Sequence, residues 1–160
     1  MIIATHSDQA LDLLEDSSDR EKKILGAIPY QPNHTVLHTD SSVLPVNRVT
    51  WASWNYLIPA QDTERVTLTY YMNLLQTLKA AEEYCVTLNR IQNINPNKII
   101  AEFEYHHPVY TIEALRAQKR FEEISGVNRT HFCGAYWGYG FHEDGVNSAL
   151  AACKFFGKKL

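Results

Sequence analysis

Few of the residues that usually announce a chemistry are arranged here in a way that announces one. There are three cysteines, Cys85, Cys133 and Cys153. Odd in number and far apart, they supply no CxxC pair for zinc or redox exchange and no disulfide framework, so a reducing, cytoplasmic setting is expected. No H-x-x-x-H pair falls on an expected helix, and the adjacent His106 and His107 point to opposite faces of any strand, so no metal site is expected. No nucleophile elbow surrounds a serine. No apolar run approaches the ~20 residues that span a bilayer, and no charged-then-apolar signal segment opens the chain; a soluble protein with no membrane span is expected. Neither sign of charge dominates, with 15 basic against 18 acidic residues, a formal net charge of −3 and a pI of about 6.1. Without a basic field, nucleic acid and anionic membranes are not expected partners.

What is present is an ordinary globular composition, 45% apolar and 21% charged, in 160 residues, enough for a real core. The aromatic share, 11% with nine tyrosines and three tryptophans, is generous, and aromatics build cores before they stack on ligands. Ile2 and Ile3 read as a short buried strand. "THSDQALDLLED" places capping residues ahead of Ala10, Leu11, Leu13 and Leu14, so a helix is expected from Ser7 or Asp8. "DREKKILGAIPY" reads as a second short helix, ended by Gly26 and Pro29. The middle is richer in strands: "HTVLHTD", "RVTWASWNYLIP" and "RVTLTYYMNLLQ" form an expected antiparallel meander, joined by "SSVLPVN" and "PAQDTE". "YCVTLNR" and "KIIAEFEYHH" add two further strands. Between Thr111 and Ile124 the spacing of Ile112, Leu115, Phe121 and Ile124 predicts an amphipathic helix with those four as its apolar face.

The chain ends in "HFCGAYWGYGFHEDGVNSALAACKFFG", a strand, a glycine-rich turn and a helix. Gly134, Gly138, Gly140 and Gly145 are interleaved with aromatic side chains, an arrangement that brings backbone close to a ligand and aims helix-start N–H groups at it. Gly138 and Gly140 make a G-x-G, but Glu143 stands where a third glycine would complete the dinucleotide fingerprint. An ordinary tight turn explains the pattern equally well. Glu143 and Asp144 open the last helix, where the dipole favours their charge. Cys133, inside an apolar run, reads as a small buried residue rather than a nucleophile. His38 and Asp40 share a facing on one expected strand.

Taken together, "IIATHSDQALDLLED" and "FCGAYWGYGFHEDGVNSALAA" resemble two segments of the FAD-dependent amine-oxidase superfamily. With "PNHTVLHTDSSVLP", "WASWNY" and "VTLTYYMNLLQ" between them, nearly the whole chain is similar to the C-terminal part of a bacterial branch of amine-oxidase-like, NAD/FAD-binding flavoproteins. The resemblance implies an α+β chain with partial FAD/NAD(P)-binding-type strand–helix pieces at both termini and an antiparallel or mixed substrate-domain sheet between them. It divides the chain into a returning segment of an FAD-binding domain (1–28), a substrate-domain-like sheet and helix (29–125), and a C-terminal strand-turn-helix of the FAD domain (126–160).

The resemblance also implies a set of flavin contacts. Ala4 and Thr5 match backbone that passes close to the dinucleotide. Phe132, Cys133 and Gly134 fit the end of the superfamily's strand; Ala135 stands where an acid is usual, and Asp144 where glycine is usual. Glu143, Asp144 and Gly145 form a helix start whose N–H groups would meet the isoalloxazine carbonyl edge, with Gly140 in the turn before it. Tyr136, Trp137 and Tyr139 are implied to stand beside the flavin face, and Trp51, Trp54, Tyr56, Tyr70 and Tyr71 to line a substrate floor, divided between two faces by alternation. The implied function is that of an oxidoreductase whose FAD accepts a hydride from a C–N or C–C bond of a small-molecule substrate. Because the glycine fingerprint is missing, the chain is expected to be a fragment, inactive alone and joined to an N-terminal FAD-binding half or another chain, with self-association possible. Two other readings stand beside this one: a non-catalytic domain that completes a site with a partner, and a small flavin-free enzyme using His38, Asp40 or His142.

Overall fold

The computed structural model describes residues 1–58 and 65–158. The expected connection "PAQDTE" lies outside the described residues. In chain order the elements are β1 (Ile2–Ile3), α1 (Ser7–Asp12), α2 (Asp19–Leu25), β2 (Tyr30–His38), β3 (Trp54–Leu57) and β4 (Thr67–Tyr71). There follow α3 (Met72–Leu75), β5 (Cys85–Leu88), β6 (Ile99–Pro108), α4 (Ile112–Gln118), β7 (His131–Phe132) and α5 (His142–Lys154), with 3-10 turns between several of them. The chain is α+β and divides into two compact units, one joining Met1–Gln31 to the segment from His107 onward, the other Pro32–His106. Residues 109–125 thus group with the two chain ends, not with the sheet. No helix among the described residues is long and apolar enough to cross a membrane.

The first unit is built on β1 and β7, which pair in parallel, Ile2 opposite His131 and Ile3 opposite Phe132. The Cys133 N–H donates to the Ile3 carbonyl at 2.8 Å and the His131 N–H to that of Met1 at 3.0 Å. Around the pair, Ile3, Ala10, Ile24, Leu25, Ile28, Ile124 and Phe132 form one buried cluster, each large side chain contributing about 1.5–3 kcal/mol of transfer free energy. The helices start where local chemistry says they should. Glu21 accepts from the Ser18 N–H at 2.7 Å while Ser18 Oγ accepts from the Glu21 N–H at 3.3 Å, a reciprocal cap on α2. Thr111 Oγ1 caps α4 by accepting from the Ala114 N–H at 3.0 Å.

α4 departs from the expected amphipathic helix. It stops at Gln118, and Phe121–Glu123 form a separate 3-10 turn. Of its predicted apolar face, Ile112 is 64% exposed and Leu115 38%, whereas Ala114 and Ala117 are buried. The alanines face inward because α4 packs against α2, and small side chains let the two backbones approach closely.

The second unit is a five-stranded antiparallel sheet in the order β3-β4-β5-β2-β6. The meander runs through β3, β4 and β5, so the expected meander of the first three strands is corrected: β2 pairs with β5 instead of β3. "RVTWASWNYLIP" forms a 3-10 turn (Arg48–Thr50) before its strand, because Asn47 Oδ1 accepts the Val49 N–H and starts the turn. Register and alternation divide the sheet's side chains. Val36, His38, Thr69, Cys85 and Thr87 share one face and are all buried. Leu37, Val86, Tyr70 and Trp54 lie opposite one another on the other face, and none of the four is buried.

Candidate functional site

The two chain ends meet in the first unit, and their junction holds most of the residues singled out from the sequence. Because β1 and β7 are parallel neighbours, Ala4 and Thr5 leave one strand beside Gly134 leaving the other. A Cβ on Gly134 would stand 3.2 Å from the Thr5 carbonyl oxygen and 2.3 Å from the Tyr136 ring. Glycine is therefore required there by close packing. Tyr136 is folded inward as part of the core, and burial pushes its hydroxyl well above the usual tyrosine range. Ala135 and Trp137 form a 3-10 turn with it. Trp137 packs edge-on against Phe121 with ring centroids 5.0 Å apart.

The glycine-rich turn is held by three side chains. Asp144 Oδ2 accepts the backbone N–H of Tyr139 at 2.9 Å and of Phe141 at 3.0 Å. Gln118 Nε2 donates to the carbonyls of Tyr136 at 2.8 Å and Gly138 at 2.6 Å. Ser148 Oγ accepts the Gly134 N–H at 2.9 Å. Gly138 makes room for the carboxylate, since a Cβ there would lie 2.2 Å from Asp144 Oδ1. Gly140 takes φ +86°, the left-handed region, with the Tyr110 hydroxyl 2.7 Å from where its Cβ would be. Asp144 thus spends its charge on the turn's own amides, which makes it a positioning residue.

The start of α5 is arranged differently. His142 and Glu143 occupy the first helical turn, where N–H groups have no intrahelical carbonyl to bind. At Gly145 nothing lies within 4 Å of a would-be Cβ. That glycine weakens the helix by about 1 kcal/mol relative to alanine, and no protein neighbour asks for it. Beside the turn, a cavity of about 240 Å³ is lined by Gln118, Phe121, Trp137, Asp144, Asn147 and Ser148, among others. Gln118 and Tyr110 were not legible as site residues. For Gln118 the signal was a polar residue following the inward-facing Ala114 and Ala117 at helical spacing.

The polar residues of the second unit make a closed network. The Asp40 N–H donates to His38 Nδ1 at 3.1 Å, so His38 Nε2 carries the proton and donates to Thr87 Oγ1 at 2.8 Å. Thr87 and Thr69 hydroxyls are 2.9 Å apart. Burial, against the opposing pull of Asp40, lowers the pKa of His38, which keeps the ring neutral. Burial disfavours the charge of Asp40, but N–H donors from Asn95 and Ser42 and the Lys98 ammonium outweigh it and bring the carboxyl to about 2. β2 ends at His38, and Asp40 caps the next 3-10 turn instead of continuing the strand. His142 lies in the other unit. Burial raises the Cys85 thiol to about 12 and the Cys133 thiol above its ordinary value, so neither is a ready nucleophile. Among the described residues no cluster of three or more His, Cys, Asp and Glu is placed to hold a metal ion.

No protein-family model matches this chain, and no curated protein matches it.

Proposed function

We propose that the chain is the C-terminal portion of an FAD-dependent oxidoreductase of the amine-oxidase superfamily, with the flavin accepting a hydride from a C–N or C–C bond. The observation that carries this reading is the parallel pairing of β1 with β7. Two segments from opposite ends of the chain, each resembling a returning piece of an FAD domain, end side by side. In open α/β sheets, ligands bind at the carboxyl ends of parallel strands, which here present Ala4, Thr5 and Gly134.

The chain's residues fit such a group. The first-turn N–H groups of α5 suit a carbonyl edge, and the open space at Gly145 gives a flat ring clearance to approach the helix backbone. The residues that would hold it are the backbone of Ala4 and Thr5 and the N–H groups of His142 and Glu143. When bound, the flavin supplies the hydride acceptor, and the chain supplies orientation. Asp144 and Gln118 fix the turn that sets the direction of the helix start, and Gly134 keeps the strand ends close.

A second reading is favoured by a specific feature of the same pair. Parallel sheets are normally multi-stranded and covered on both faces, whereas this one has two strands of two residues each. A site of this kind asks for further strands, so the chain also suits a domain that completes a site with a polypeptide carrying the glycine fingerprint. An FAD titration read by flavin absorbance and fluorescence separates the two. Saturable binding by the chain alone supports the first reading; binding only after such a polypeptide is added supports the second. The Gly145→Ala variant makes the test specific. It should stabilise the free protein by up to about 1 kcal/mol through helix propensity while lowering FAD affinity. Unchanged affinity in a protein that does bind FAD would remove the α5 start from the site.

A further inference from the structure

β7 turns one side of its ladder into the buried cluster and the other toward α5. Phe132 lies in the cluster, whereas the His131 ring rests against Phe155 and Phe156, just past the end of α5, with centroids 4.7 and 4.9 Å away. The Cys133 N–H continues the ladder by donating to the Ile3 carbonyl at 2.8 Å, so the Cys133 side chain alternates back to the side of His131. One residue further on, the Gly134 N–H donates to Ser148 Oγ at 2.9 Å. Strand and helix are thus clamped at both ends of a short stretch, Gly134 to Ser148 and His131 to Phe155 and Phe156. Cys133 lies within that stretch on the strand, and Cys153 within it on the helix. The inner face of α5 there is Ser148 and Ala152, both buried, and side chains this small let the helix backbone approach the strand. Burial, and after it a charge on Cys153, push the Cys133 thiol above its ordinary value, an influence that requires the two sulfurs to be near each other. Both are free thiols, Cys133 buried and Cys153 half-buried.

Independently of the flavin reading, we infer that Cys133 and Cys153 form a reversible disulfide, and that its oxidant is a small-molecule disulfide such as oxidised glutathione. The roles follow from exposure. Cys153 meets solvent, so its thiol loses a proton and the thiolate attacks one sulfur of the oxidant. The oxidant's S–S bond breaks, and one glutathione leaves and takes up a proton. Cys133 then loses its proton and attacks the Cys153 sulfur of the mixed disulfide, expelling the second glutathione, which is protonated in turn. Two protein thiols are oxidised, and one glutathione disulfide is reduced to two thiols. A buried thiol with a raised pKa is slow toward reagents in solution, but a neighbouring sulfur stands at an effective concentration that no reagent matches. Cys85, buried within the sheet unit, takes no part. The bond joins the end of β7 to the last turn of α5 and closes a loop that holds the glycine turn and the start of α5. It staples that turn without occupying it. Reversible pairs of this kind are the disulfides a reducing compartment allows.

The test uses the full chain, reduced and then incubated with oxidised glutathione, and is read by intact mass and peptide mapping. The chain should become lighter by two hydrogens and stay monomeric on a non-reducing gel. Trypsin leaves both cysteines in the peptide 130–154, so a second cut after Glu143 is needed; the halves 130–143 and 144–154 should stay joined until dithiothreitol is added. Cys133→Ala, which removes the resolving sulfur, should stop at the mixed disulfide on Cys153. Cys153→Ser should leave Cys133 unmodified over the same time, with circular dichroism confirming that both variants fold. Alkylating Cys153 in the unaltered chain tests the same point without a substitution in the core: the blocked protein should form no bond and take up no glutathione. Oxidation should raise the melting temperature by about 5–10 °C, because the closed loop restricts the unfolded chain. Bridges between chains, a bond to Cys85, glutathione trapped at Cys133, or thiols that persist in a folded chain under oxidised glutathione would each overturn the inference. So would a melting temperature that falls on oxidation, since the bond would then have to distort the packing of α5 on β7.

Discussion

The contact between Asp144 and Gly138 can be tested as a thermodynamic cycle. Asp144→Ala removes a carboxylate in the first turn of α5 that accepts the backbone N–H groups of Tyr139 and Phe141, at 2.9 and 3.0 Å, from the turn before the helix. Charge-assisted hydrogen bonds contribute about 1.5–3 kcal/mol when buried and less here, where Tyr139 and Phe141 are exposed and water can replace the carboxylate. Adding the helix-dipole contribution of about 0.3–1 kcal/mol, the expected loss is about 2 kcal/mol, or about 4–8 °C in Tm for a chain of this size. Asp144→Asn, which keeps an acceptor and loses the charge, should cost about half as much. Gly138→Ala places a Cβ 2.2 Å from Asp144 Oδ1 and 2.4 Å from its Cγ, so it must expel the same carboxylate and should cost at least as much as Asp144→Ala. In the double variant the obstacle has gone. Gly138→Ala added to Asp144→Ala should therefore cost less than about 1 kcal/mol, giving a coupling of about 1–2 kcal/mol. Urea denaturation followed by tryptophan fluorescence measures all four corners. Additive losses would refute the idea that one carboxylate holds the turn through the space glycine leaves.

Three further outcomes follow from the same geometry. Gly145→Ala should raise stability and lower FAD affinity, opposite signs that a merely structural glycine would not produce. Cys153, half-buried where the other two cysteines are buried, should alkylate with iodoacetamide well before Cys85 and Cys133 in the native protein; mass spectrometry gives the order, and early labelling of Cys85 would contradict its burial. Asp40 has its carboxyl depressed to about 2 in the folded protein against an ordinary value of 3.8, so its stabilisation is fully present above about pH 4 and lost as pH falls through 2. Asp40→Asn should flatten that part of the stability–pH curve; an unchanged slope between pH 4 and 2 would show that the Asn95, Ser42 and Lys98 contacts do not hold the charge.

Elements whose causes are local can be read directly from the order of the residues. The starts of α2 and α4 follow from Ser18 with Glu21 and from Thr111, because a cap is satisfied within four residues of chain. The strand character of β6 follows from the alternation in "AEFEYH", which separates Glu102 and Glu104 from Phe103 and Tyr105 whatever the sheet around them. The glycine turn and the acidic start of α5 are legible for the same reason. Non-local choices are not. That residues 2–3 lie beside 131–132, that β2 enters between β5 and β6, and that Asp144 turns back onto the amides before it depend on contacts between distant segments or on the folded turn itself. Which side of an amphipathic pattern is covered is equally hidden. α4 buries two alanines and exposes Ile112, and the sheet covers threonines and a histidine while leaving Trp54 and Phe103 open. Sequence by itself determined where backbone hydrogen bonds start, stop and alternate, since those are short-range demands. Only the tertiary structure decided which surfaces meet, because burial is a property of the neighbour as much as of the residue.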